Sequence, residues 1–524
     1  HRGIYGIGAS LHGLLLLVVP VASHVQKRGI ECGHTSGIGG RNLGTECLVF
    51  FGPFVVTGLG TSASQQTGAC GCSEPLPDRE RLPRWASALL IRETAGDVAG
   101  EEGGEGDIEA GRTSTTLQHA CIAYRGGMSF ESTGPLAGIR VVDLCTVVMA
   151  PMAARILGDL GADVVKVEGA DSDFMRDFVP KKNPGMGGIT MNLHRNKRSM
   201  MLDLKSEAGH RAMLDLVASS DVFMSNMRPA ALERLNLAPD DLLAVQPELV
   251  YCGAVGFGSD GPYAGRAAYD DVIQSVSGMA TMRSWSGEDP ALVSSTIADK
   301  IAALHIVYAV LAGLVRKGAT GKGDVIEVPM AEALASFNLV EHLNGHTFEP
   351  KLEPFSYQRL QTEHRRPQRS VDGWVHLLPY STKNYFDIFV ECGRPELVDD
   401  ERFATVNSRV ANINALYGLV HEFAGSKTTA EWMAFAKANS IPCMPVNELS
   451  ELENDPHFAA VGLFEPAEHP TEGSYRVVKD PVSFASDDSP TLRRHAPHVG
   501  QHTAEMLTEL GWSPEDIATV TADS

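Results

Sequence analysis

The chain has 524 residues, 43% of them hydrophobic, and a formal net charge of −21. That length allows two or three domains. The acidic balance argues against a nucleic-acid or anionic-membrane partner, and leaves an anionic small molecule open wherever cations gather locally.

Residues 1–127 stand apart from the rest. All 17 Met lie from Met128 onward, whereas 23 of the 52 Gly and five of the nine Cys precede it. GEEGGEGDIEAG (Gly100–Gly111) is low-complexity and acidic. LLLLVVPVA (Leu14–Ala22) is too short to span a bilayer and resembles the apolar part of an export signal. The segment reads as a disordered leader outside the working protein, with Met128 as the natural start. The CGC at Cys70–Cys72 is a weak redox or metal signal inside it. Beyond it Cys145, Cys252, Cys392 and Cys443 form no close pair, as expected of a reduced, cytoplasmic protein.

From Ile139 a regular pattern begins. IRVVDL reads as a buried strand, APMAARILGDLG as an amphipathic helix closed by Gly, and ADVVKVEG as a second strand. This βαβ unit implies a parallel sheet with right-handed crossovers. It recurs through RSMMLDL, SEAGHRAMLDLVASS and DVFMSN, then RPAALERL and ELVYCGAV. Residues 128–345 therefore read as an α/β domain with an open, doubly wound parallel sheet. Residues 346–370, rich in Pro and Arg, read as a linker. DGWVHLLPY, NINALYGLVHEFAG and IPCMPV imply a smaller α+β domain over 371–470. The C-terminal segment 471–524 carries one helix and the start of another and is expected to return to the large domain.

Several motifs bear on chemistry. GFGSDG (Gly256–Gly261) fits G-x-G-x-x-G, but a dinucleotide fingerprint must open a helix, and PYAGRAAYDD begins as a loop. The glycines read instead as a loop of close approach. His495, His498 and His502 have metal-like spacing, but Pro497 and Gly500 interrupt the helix that would align them, so no metal is expected. Lys197, Arg198 and Lys205 read either as a charged, solvated edge or, with Arg228 and Arg234 in the same sector, as a phosphate site at the strand ends. In SSTIADKIAALHIVYAVLAGLVRKGATGKG, Ile301, Leu304, His305, Tyr308 and Leu311 recur at helical spacing, and Gly313 and Gly318 mark the helix end. Asp299 stands at its mouth, as a cap or as a carboxylate nucleophile at a positive helix end.

Ten patches, among them ILGDLGADVVKVE, NKRSMMLDLKS, DVFMSNMRPAALERL, GFGSDGPYAGRAAYDDVIQSVSG, IADK, TGKGDVIEVPMAEA and APHVGQHTAEMLTELG, fall in the order found in the class III CoA-transferases, the CaiB/BaiF family. From about residue 134 the chain resembles that family. The resemblance implies a Rossmann-like CoA-binding fold in an interlocked homodimer. It makes Asp299 the nucleophile of a CoA transfer from an acyl-CoA to a carboxylic acid, with no metal or redox cofactor. It also implies CoA contacts by Asn226, Arg234, Leu202, Lys205 and Tyr269, with Val147 and Met149 lining the loop after the first strand. The chain departs from the family in two places. The glycine run that closes over the aspartate in some relatives is missing from Gly345–Gln368, and Val148 replaces a Gln of formyl-CoA transferase, which argues against a formyl/oxalate specificity. The related α-methylacyl-CoA racemases use a His–Asp pair where this chain has Tyr269 and Asp270, and a phenol of pKa about 10 is a poor base at neutral pH. A non-catalytic acyl-CoA-binding protein would have no need of Asp299.

Overall fold

The computed structural model describes residues 133–169, 173–486 and 491–523, and the backbone of two strands nearer the N-terminus. The chain divides into the units His1–Gly111 and Arg112–Ser524. In the first, Cys47–Phe51 pairs antiparallel with Phe54–Gly58. The apolar stretch Leu14–Ala22, the CGC and the acidic Gly100–Gly111 all lie outside the described residues.

The second unit is built on a six-stranded sheet. Its strands are β1 (Arg140–Leu144), β2 (Asp163–Glu168), β3 (Lys197–Met201), β4 (Val222–Ser225), β5 (Val250–Val255) and β6 (Asp324–Pro329). The order across the sheet is β3-β2-β1-β4-β5-β6, every neighbouring pair parallel. β1, β2 and β4 are buried along their whole length, so their apolar residues do not alternate with exposed ones. Each fully buried Val, Leu or Phe among them contributes about 1.5–3 kcal/mol.

Helices cover both faces. On one face α1 (Met149–Asp159) packs with the long helix Ile297–Thr320 around Val141, Leu157, Ala302 and Ile306. On the other, the helix Glu207–Ala218, opened by Ser206 accepting from Gly209 N–H, packs through Met213 and Leu216 with Phe223 and Leu507. The long helix departs from its expected reading in two ways. It runs through Gly313 and Gly318 and stops only at Gly321, whose φ is +67°. A Cβ on Gly313 would sit 2.7 Å from Val250, so this glycine admits close packing on β5 and does not end the helix. Leu304 and Tyr308, expected on the core stripe, are exposed, while Ala302, Ile306 and Val310 face inward.

The charged strand β3 also corrects its sequence reading. Lys197 and Arg198 are neither a solvated edge nor free for phosphate: both are buried. Lys197 Nζ donates to Asp143 Oδ2 at 2.8 Å and Arg198 holds Asp163 at 2.6 Å. The outer edge of β3 is covered by the C-terminal segment. Asn196 N–H donates to Arg494 O, His502 N–H donates to Ser199 O, and Ser199 N–H donates back to His502 Nδ1. The C-terminal helix Thr503–Glu509 is tied on by Arg198 to Glu505 and Glu509. His495 and His498 both pack against the His469 ring and bond Tyr475 and Thr471, and the described residues contain no cluster of metal-ligating side chains.

Trp374–Leu377 restarts the chain as the centre of an antiparallel sheet between Gln368–Arg369 and Cys443–Pro445. It has a core of its own, around Val375, Ile388, Phe389, Phe403 and Trp432. Capping boxes at Ser381 and Thr428 start two of its helices. A hairpin, Phe464–His469 with Gly473–Val478, follows.

Candidate active site

In the order β3-β2-β1-β4 the winding reverses between β1 and β4, so the loops leaving these two strands part and open a crevice at their C-terminal ends. A reciprocal pair spans it: Thr146 N–H donates to Asn226 Oδ1 at 2.9 Å, and Asn226 Nδ2 donates to Thr146 O at 2.8 Å. The next residue, Val147, has φ +72°. A β-branched side chain in the left-handed region is strained and persists only where its surroundings enforce it. Here Val147 N–H donates to both carboxylate oxygens of buried Asp173, at 3.2 and 3.0 Å. Asp173 in turn lies 3.8 Å from Lys166 Nζ, which donates to Cys145 O at 2.7 Å.

This crevice leads into a cavity of about 270 Å³. Val147 and Met149 form one wall, Asn226 and Arg228 another, and Gly256, Phe257, Arg266 and Tyr269 the third. The glycine loop does provide close approach. A Cβ on Gly256 would meet Ala268 Cβ at 2.4 Å, and Gly258 N–H and Ser259 N–H are fixed by Glu332 and Glu327. No helix begins there; the next one, Asp270–Val276, starts after Tyr269.

Asp299 completes the cavity wall. It is not the cap of its helix. Thr296 holds the capping position without a side-chain bond, and the first-turn donors Ala298 N–H and Asp299 N–H go to Asp270 Oδ1 at 2.7 and 3.1 Å. Asp270 Oδ2 accepts from Gln274 Nε2 at 2.6 Å. The cap is thus supplied from another helix. These two N–H groups are therefore already taken. The Asp299 carboxylate is 7% exposed and accepts no hydrogen bond from any described residue. Burial pushes it up to about 7, and the neighbouring Asp270 and Asp271 carboxylates add to that against a weaker pull from Lys300. A desolvated carboxylate of raised basicity is a better nucleophile than a solvated one.

The structure thus gathers Val147, Met149, Asn226, Tyr269 and Asp299 around one space. Leu202 is elsewhere. Its side chain is wholly buried with Met200 and Leu216, and any ligand contact at that position would have to come from the backbone. Lys205 and Arg234 are exposed and do not line the cavity. Arg266, in the wall and stacked on Tyr263 at 4.6 Å, was not singled out by the sequence reading, because a lone Arg in a loop carries no pattern.

Residues 136–503 match the CoA-transferase family III sequence model. Human succinyl-CoA:glutarate CoA-transferase is 29% identical over 388 residues, 72% of this chain and 86% of that protein. Formyl-CoA:oxalate CoA-transferase of Streptomyces avermitilis is 30% identical over 406 residues, 74% of this chain and 98% of that one. The crystal structure of a CAIB/BAIF family protein from Brucella suis matches with a TM-score of 0.62 at 28% identity, over 72% of this chain and 100% of that chain.

Proposed function

Because this chain belongs to CoA-transferase family III, we propose that it moves CoA from an acyl-CoA to a free carboxylic acid through covalent intermediates on Asp299. The observation that carries this reading is the Asp299 carboxylate itself, buried in the cavity wall and relieved of capping duty by Asp270.

An Asp299 oxygen attacks the thioester carbonyl, the C–S bond breaks, and CoA thiolate leaves a mixed anhydride. The thiolate then attacks the Asp299 carbonyl, releasing the donor acid and leaving an aspartyl-CoA thioester. The acceptor carboxylate attacks that thioester, CoA thiolate leaves again, and a second anhydride forms. Attack of the thiolate on the acceptor's carbonyl yields the new acyl-CoA and returns Asp299 as a carboxylate. With the N–H groups of its own helix occupied, the donors left to the oxyanions are those of α1, whose N-terminus has no side-chain cap and places Met149 in the wall.

At about 270 Å³ the cavity is small for a ligand pocket, which usually measures about 300–1,000 Å³, so it takes the thioester end of the substrate. The nucleotide end then runs outside, past Arg228 toward exposed Arg234 and Lys205. A homodimer accounts for a further feature. The helix Ile297–Thr320 is long and apolar enough, by length and composition alone, to cross a membrane, yet one side is buried on the sheet and the other is bare. Leu304, Tyr308 and Val315 there, with Phe337 and Val340 of the helix Met330–His342, form an apolar face that a second copy would cover. Proton transfer by a racemase mechanism draws no support, since Asp270 is committed to two backbone N–H groups and Gln274.

The test is Asp299→Asn, assayed for CoA exchange between acyl-CoAs and free acids by mass spectrometry of the new thioesters. Transfer should fall by about 10³-fold or more in a folded protein. Near-normal transfer would remove Asp299 from the chemistry.

A further inference from the structure

A second cavity, of about 90 Å³, lies between the strand Trp374–Leu377 and the segment that precedes it. Arg359, His364, Arg365 and His376 line it, with Tyr417 and Gln368. No acidic side chain lines it. That composition is unusual in a chain of net charge −21. By contrast, buried Lys197 is matched by Asp143 and buried Arg176 by Glu168. Here Arg359 Nε donates to a phenol, Tyr417 Oη, at 2.6 Å, a second phenol, Tyr357, also bonds it, and its guanidinium lies 5.5 Å from the Tyr380 ring. Neither Arg359 nor Arg365 forms an ion pair with a described residue. Glu363, outside the lining, has its exposed carboxylate 3.8 Å from His364 Nε2.

The histidines carry an independent sign. His364 Nδ1 and His376 Nδ1 are buried and have no hydrogen-bond partner. A buried polar atom left unpaired costs about 1–3 kcal/mol, and both histidines line this cavity. His376 is held below the ordinary histidine range by burial, with Arg365 and Arg359 adding to the effect.

We propose that this cavity is a binding site for a small oxyanion, a carboxylate or phosphate group held by Arg359 and Arg365 with the two histidines as further donors. Guanidinium forks match either group with paired hydrogen bonds. The volume admits a group of a few heavy atoms and not a nucleotide. It shares no lining residue with the Asp299 cavity, so the proposal stands whether or not Asp299 is the nucleophile.

Isothermal titration of the full chain with succinate, acetate and inorganic phosphate, and with chloride as a control, tests this. Saturable binding of at least one oxyanion, but not chloride, is expected, and the oxyanion that binds tells the two sources apart. Arg365→Gln, at an exposed position, should weaken it by about tenfold or more. Arg359→Gln, checked for folding by circular dichroism, should do the same. Asp299→Asn should leave it unchanged. Absence of saturable binding, or equal affinity in Arg365→Gln and wild type, overturns the proposal. So does binding lost in Asp299→Asn but kept in Arg365→Gln, which would place the anion in the other cavity.

Discussion

Buried carboxylates occur in two settings in this molecule, and they end with opposite properties. Under β1 and β2, burial alone would raise Asp143 and Glu168. Lys197 and Lys166 outweigh it for Asp143, and Lys166 with Arg176 does so for Glu168, so both stay below the usual carboxylate range. At the sheet's crevice, Asp299 is buried without a cation of comparable strength and beside two further acids, and it rises to about 7. The first set holds strands and loops in place. The second is left without a cationic partner. The contrast comes from which neighbours the fold supplies, since the residue type is the same.

The sharpest break of this contrast is Asp299→Asn, which should abolish transfer by about 10³-fold or more. It should also stabilise the protein. Between pH about 4 and about 7, folded Asp299 keeps a proton that the unfolded chain has lost, so stability falls as pH rises through that window. Above pH about 7 the full cost is present, up to about 4 kcal/mol. Thermal unfolding of Asp299→Asn should thus lie above wild type at pH 8, and the gap should close at pH 4. A gap independent of pH would mean that Asp299 is not the strained group described.

Lys197→Met attacks the other set. It leaves Asp143 buried without its partner and should cost about 3–5 kcal/mol in urea unfolding. A loss under about 1 kcal/mol would show that the charge network is dispensable. A smaller effect is expected of Asp271→Asn. It removes one of the acids that raise Asp299, so the acid limb of the pH–rate profile should move to lower pH by a fraction of a unit, since Asp271 is exposed and screened. Asn226→Ala should have the least effect, losing the Thr146 bridge and raising KM for acyl-CoA a few-fold, about 3-fold or more, with kcat nearly unchanged.

Much of the sheet was legible in the sequence, because β1, β2, β4 and β5 are rich in Val and other apolar residues and alternate with helical stretches. The edge strand β3 was located correctly, but its charges were misread. A strand that begins Lys-Arg looks solvated unless one knows that Asp143 and Asp163 lie on neighbouring strands and that the C-terminal segment closes the edge. Asp299 is singled out in the sequence by the resemblance of IADK and by its helix context. That Asp270 takes the cap could not be read, because the two residues meet only through the tertiary fold. The arginine- and histidine-lined cavity was hidden for the same reason: His376 is remote in sequence from Arg359, and the stretch between them read as a linker.

The central claim is that the unpaired Asp299 carboxylate becomes acylated. Incubation with an acyl-CoA donor and hydroxylamine, followed by peptide mass spectrometry, tests it most directly. The account predicts a hydroxamate at Asp299 that requires the donor and appears at no other carboxylate, Asp143 and Glu168 included. Turnover in hydroxylamine with Asp299 unmodified, or a hydroxamate at another acid, would contradict it.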